Sequence, residues 1–140
     1  MIEPQLKDTL EYFRSRRLTF VLVDAPQDSH FTVMPGLDCV TNPDLGYFRF
    51  HGRNAEGYIK GRTVAERFDH DYSDEEVDEL TERIEEVEEQ VKELHIVANN
   101  NRSNYAPRLA ERIQTLLRER GRLKGLAQKK PKESQLQLLK

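Results

Sequence analysis

The chain has no tryptophan, a single cysteine (Cys39) and no uninterrupted apolar stretch of the roughly 18 residues that cross a bilayer. Each absence excludes something. One cysteine cannot form an internal disulfide, which fits a reducing compartment, and a cytoplasmic protein is expected. The opening MIEPQLKDTLEYF lacks a basic segment followed by an apolar one, so it does not read as a secretory signal. His30, His70 and His95 show no HxxxH-type spacing, and no metal is expected. No glycine-rich phosphate loop and no serine in a nucleophile-elbow context are present. No cofactor is therefore expected, and no catalytic residue can be assigned.

What remains is a charged chain of 140 residues, long enough for one domain or a piece of a larger one. Its net charge of −3 conceals an asymmetry. Residues 69–93 are overwhelmingly acidic, whereas from Arg102 onward Arg108, Arg112, Arg118, Arg120, Arg122, Lys124, Lys129, Lys130 and Lys132 make the chain basic. The basic block can serve phosphate binding, or both blocks can be solvated helix faces.

Hydrophobic periodicity predicts the elements. Leu6, Leu10 and Phe13 recur at helical spacing within residues 6–17. Residues 18–23 (LTFVLV) read as a buried strand ended by Asp24 and Pro26, and Tyr47 to His51 as a second strand. Residues 52–72 read as loop with a short helical turn near 64–67. Ser73 and Glu76 form a capping box that opens a helix whose stripe runs through Val77, Leu80, Ile84, Val87, Val91 and Leu94. A third strand is predicted over Leu94 to Ala98, and a last helix from Pro107 through Leu117. Strands separated by long connections or helices imply parallel pairing. The polar clusters at Asp24, at His51–Asn54 and at Asn99–Asn101 then fall at the C-terminal ends of strands, where α/β folds build ligand sites.

Three blocks, RFHGRN at 49–54, GRTVAERFDHDYSDEEVDEL at 61–80 and VANNNRSNYAPRLAERIQTLL at 97–117, resemble in order and spacing the domain of unknown function 72, or YecE-like, family. The resemblance runs from about Leu6 to Leu117 and corresponds to the last third of the family domain. It implies an α/β, TIM-barrel-like (β/α)₈ fold, of which this chain would hold the three C-terminal βα units over residues 1–120. Residues 121–140 are expected to be a basic, disordered tail. Where family members often carry tryptophan after the HGRN block, Tyr58 and Ile59 stand here. The family barrel is similar to that of endonuclease IV, which suggests a DNA-related role by analogy of fold. The zinc ligands of that enzyme are not reproduced here.

In a barrel, alternate strand residues point inward. Tyr47, Arg49 and His51 are thus expected to line the interior, with Phe48 and Phe50 against the helices. An inward arginine needs a partner, and Asp24 on the neighbouring strand is the expected one. Two readings of function stay open. In the first, Asp24, Arg49, His51, Gly52, Arg53, Asn54, Asn99 and Asn100 bind a phosphate-containing or nucleic-acid ligand. Arg49 and Arg53 would meet the anion, Asp24 would orient Arg49 or His51, and the asparagine amides would fix polar groups. In the second, the chain is a fragment of a split or truncated gene that acts only with a complementary chain, or by self-association. The C-terminal QLQLL is a separate feature. Gln135, Leu136, Leu138 and Leu139 are similar to the peptide by which bacterial replication proteins dock on the sliding clamp, with Leu139 replacing the final aromatic.

Overall fold

Alternation along the second strand decides how the molecule is layered. In β2 (Leu45–Phe50), Phe48 and Phe50 are fully buried, whereas Tyr47 is half-buried and Arg49 exposed on the opposite face. β1 (Val21–Asp24) and β3 (Glu93–Ala98) flank it in the order β1-β2-β3, and both pairings are parallel, as the long connections predict. The registers set Leu22 beside Phe48, Phe48 beside Ile96, and Asp24 beside Phe50. The computed structural model describes residues 3–27 and 36–122. His30 and the QLQLL peptide lie outside the described residues.

The helices are α1 (Glu3–Ser15), α2 (Ala55–Lys60), α3 (Val64–Arg67), α4 (Asp74–Glu88) and α5 (Tyr105–Glu119). One core joins the Phe48 face of the sheet to two of them. Leu22, Phe48 and Phe50 share a buried cluster with Val77, Leu80, Ile84 and Val87 of α4 and Leu109, Ile113 and Leu117 of α5. Leu10 of α1 and Phe20 complete it. Burying a side chain such as Phe48 stabilises by about 1.5–3 kcal/mol, so this layer dominates the fold's stability.

α4 begins as its residues dictate. The Ser73 hydroxyl accepts from the Glu76 amide, and the Glu76 carboxylate accepts from the Ser73 amide, while Asp74 and Glu75 add charge at the positive end of the helix dipole. The helix stops at Glu88, short of the predicted stripe. Val91 and Leu94 continue the apolar phase because both pack over Gly46, where an added Cβ would lie 2.8 Å from Leu94 Cδ1 and 3.4 Å from a Val91 methyl. They belong to the same layer without belonging to the helix. α2 was not foreseen: Asn54 caps it, and it buries no residue, so it has no apolar stripe to betray it.

The charge asymmetry resolves between α4 and α5 and the turns before them. Arg102 pairs with Asp69, Arg108 with Asp71, Arg112 with Asp74, Arg120 with Asp78 and Glu85, and Arg122 with Glu89. The basic block up to Arg122 is therefore largely matched to acidic partners rather than offered to an external phosphate. No helix among the described residues is long and apolar enough to cross a membrane.

Candidate functional site

Strand parity separates the expected site into two faces. Asp24 sits in register with Phe50, so it projects toward the helices, whereas Arg49 sits in register with Val23 and Val97 and projects away from them. The expected Asp24–Arg49 pair therefore does not form. Arg49 instead donates its Nε to Asn99 Oδ1 at 2.8 Å. Asp24 is met by residues from the helix side. It accepts from Arg53 Nε at 3.0 Å and Nη2 at 2.8 Å, from Arg83 Nη1 at 2.8 Å, and from the Tyr72 hydroxyl at 2.7 Å.

Both arginines are shared with a second acid. Arg53 donates to both Glu79 oxygens at 2.9 Å, and Arg83 donates to Asp38 at 2.7 and 3.0 Å. The result is an alternating array, Glu79–Arg53–Asp24–Arg83–Asp38. It borders a cavity of about 560 Å³ at the end of β1. Burial by itself would raise the Asp24 pKa, but hydrogen bonds from Arg53 and Tyr72 and the charges of Arg53 and Arg83 outweigh it and hold the carboxyl below its ordinary value. Burial, the charge of Asp24 and the hydrogen bond to it push the Tyr72 phenol up. With three carboxylates to two guanidiniums, this array disfavours a further anion, and Arg53 is committed to Asp24 and Glu79.

Three of the expected residues serve the loop scaffold. Gly52 has φ +96°, and an added Cβ would lie 2.6 Å from His70 Cβ. Its amide donates to the Tyr72 hydroxyl at 2.9 Å, so Tyr72 bridges the end of β2 to Asp24. Asn54 accepts from the Gly57 amide and donates to the Asp69 carbonyl, capping α2. Asn100 is 1% exposed and donates to the His70 carbonyl, while its Oδ1 has no partner among the described residues.

The face away from the helices gathers Arg49, His51 and Asn99. Arg49 is exposed and has no carboxylate partner among the described residues, and its Nη groups donate to no protein acceptor there. Asn99 accepts from Arg49 and donates to Asn101 at 3.3 Å. His51 is linked to Asp24 only through the backbone, its amide donating to the Asp24 carbonyl at 2.8 Å. Asp24 thus does not orient its imidazole, which stacks on Phe68 at a centroid distance of 5.0 Å. Burial and then the nearby Arg49 charge lower the His51 pKa, against the smaller pull of Asp24. His51 Nδ1 is buried without a partner among the described residues.

His70 faces Glu76 at 3.0 Å and His95 faces Glu93 at 2.7 Å, each away from Arg49 in its contacts. Among the described residues, no three His, Cys, Asp or Glu side chains gather as a metal site. Tyr72 and Arg83 were missed from the sequence. Arg83 had a signal, being the sole Lys or Arg between Asp69 and Val91.

A parallel sheet helix-covered on one face, with polar residues collected at the strand C-termini, defines a mixed α/β protein. The chain belongs to the family described as protein of unknown function DUF72, whose model matches residues 1–135. It is similar to a DUF72 family protein of Thermotoga maritima, with 34% identity and a TM-score of 0.73 over 79% of this chain and 41% of that one. A DUF72 family protein of Enterococcus faecalis shows 31% identity and a TM-score of 0.74, covering 81% of this chain and 42% of that one. The UPF0759 protein YunF of Bacillus subtilis is 28% identical over 102 residues, which is 70% of this chain and 36% of YunF. The chain thus spans about two fifths of the length of these solved relatives.

Proposed function

We propose that the three strands form part of a (β/α)₈ barrel and that the face carrying Arg49, His51 and Asn99 binds a phosphate-bearing ligand, free or within nucleic acid. The observation that carries this reading is the state of Arg49. It is exposed at the end of a strand, without a carboxylate partner among the described residues, with its Nε held by Asn99 so that the rest of the planar fork points a fixed set of donors outward. Arg53, by contrast, has its charge matched on both edges. The phosphate is assigned to Arg49 and Asn99, with the neutral His51 imidazole as a hydrogen-bonding neighbour, and Asp24 and Arg53 as the structure that fixes the loop beneath.

Calorimetric titration of the 140-residue chain with inorganic phosphate and with short DNA tests it. Arg49→Ala is expected to weaken binding roughly 10- to 100-fold, since a hydrogen bond to a charged group is worth about 1.5–3 kcal/mol. Unchanged affinity in that variant refutes the assignment.

A second reading is favoured by a separate observation. The described sheet has only three strands, so β1 and β3 each leave an edge unpaired among the described residues, and the chain spans about two fifths of its solved relatives. We propose that a complementary chain, or another copy, pairs these edges and completes the site. Light scattering on the purified chain distinguishes the cases. A folded monomer that binds phosphate removes the need for a partner, and a defined oligomer supports it.

A further inference from the structure

The segment after β2 carries aromatic and aliphatic side chains that the core does not use. Neither α2 nor α3 buries a single residue, yet Tyr58, Ile59, Val64 and Phe68 fall on or beside them, and Ile59 and Val64 are exposed. Large apolar groups on a segment outside the core call for another explanation. Three of the rings form a contiguous row. His51 lies tilted against Phe68, with centroids 5.0 Å apart and planes at 31°, and Tyr58 meets Phe68 edge-on at 6.1 Å. All three are partly exposed.

His51 ties this row to Arg49. The two stand at i, i+2 spacing, and the His51 amide donates to the Asp24 carbonyl at 2.8 Å, so the ladder runs one residue past β2 and its alternation keeps both on one side. A guanidinium without a carboxylate partner among the described residues, beside a partly exposed aromatic row, is the combination that grips a nucleotide. The cation takes the phosphate, while a ring offers its face to the base, which every base can use. We infer that the ligand of the Arg49 face is a nucleotide unit whose base stacks on the Tyr58–Phe68–His51 row. The inference rests on the anion-binding reading of Arg49 and adds the second half of the ligand to it. A bare phosphate gives these rings nothing to hold, and a sugar phosphate has no π-face to stack on them. A mononucleotide and a nucleotide within a single strand share this chemistry.

The experiment is a fluorescence-anisotropy titration of the full chain with etheno-adenosine monophosphate, competed by adenosine monophosphate, ribose phosphate and an oligothymidylate. The expected result is that adenosine monophosphate competes about tenfold more tightly than ribose phosphate. Phe68→Leu, which keeps apolar bulk and removes the ring, is expected to erase that advantage and leave ribose phosphate unchanged. Arg49→Ala is expected to weaken both. Circular dichroism on each variant confirms that the fold is retained. An oligothymidylate that competes more tightly per site than the mononucleotide assigns the unit to single strands, and the reverse order assigns it to free nucleotides. Equal competition by ribose phosphate and adenosine monophosphate overturns the stacking inference while the phosphate site stands. The absence of saturable binding by every phosphate overturns the phosphate site and the inference with it.

Discussion

Arg53 lays one edge of its guanidinium along Asp24, with Nε 3.0 Å from Oδ2 and Nη2 2.8 Å from Oδ1. The contact fastens the loop after β2 to the end of β1, while Tyr72, just before α4, and Arg83, within α4, fasten to the same carboxylate. One buried acid thereby positions three separate segments. The Arg49 face inherits its geometry from this arrangement, because His51 and Gly52 connect β2 directly to Arg53.

Removing that acid takes one of two carboxylate partners from each guanidinium, Arg53 keeping Glu79 and Arg83 keeping Asp38, and deprives the buried Tyr72 hydroxyl of its acceptor. Asp24→Ala is expected to cost about 1.5–3 kcal/mol, the range for losing hydrogen bonds to a charged group. Urea unfolding measures it. The difference from the wild type is also expected to depend on pH. The folded state binds the Asp24 proton more weakly than the unfolded chain, so its contribution is full above the ordinary carboxylate value of 3.8 and is lost as pH falls through the depressed folded value. The two unfolding curves should therefore converge in acid.

Gly52→Ala is expected to destabilise by about 2 kcal/mol or more. It places a side chain at φ +96° and a Cβ 2.6 Å from His70 Cβ, combining backbone strain with overpacking. Thermal unfolding followed by circular dichroism measures the loss. An unchanged midpoint would show that the Gly52–Tyr72 approach is not needed.

His51 is expected to titrate below the ordinary imidazole value of 6.5 and to be neutral at physiological pH. Its contribution to stability is then present above 6.5 and lost as pH falls through the lower folded value. Imidazole proton shifts followed against pH give the midpoint. Arg49→Ala removes one of the two causes of the depression, so the midpoint should rise toward 6.5 in that variant while burial keeps it lower.

Arg120 makes two ion pairs, to Asp78 at 2.7 Å and Glu85 at 3.1 Å, but it lies at the surface. Exposed pairs are worth about 0–1 kcal/mol. Arg120→Ala should therefore lower stability by no more than about 1 kcal/mol in urea unfolding, less than the Asp24 variant.

The layered α/β architecture was legible because its signals are local. The continuous apolar run before Asp24, the Ser73–Glu76 capping box and the stripe from Val77 to Val87 each specify an element without reference to the rest of the chain. The alternation of Tyr47, Phe48, Arg49 and Phe50 also fixed which residues of β2 share a face. Which face Asp24 shares was not legible, because parity across two strands depends on their register, and one residue of slip reverses it. The observed register sets Asp24 with Phe50, which sent it to Arg53 and Arg83 rather than Arg49. Asn54 reads equally as a ligand amide or a helix cap, and only the fold around α2 made it a cap.

The central claim is that phosphate meets Arg49 and Asn99, not Arg53. Titrating inorganic phosphate into isotopically labelled protein and following side-chain N–H resonances tests it most directly. Saturable shifts of Arg49 Nε and Asn99 Nδ2, with Arg53 Nε unmoved and the response lost in Arg49→Ala, are the predicted result. Shifts centred on Arg53 or on the α5 arginines, or none that saturate, would contradict it.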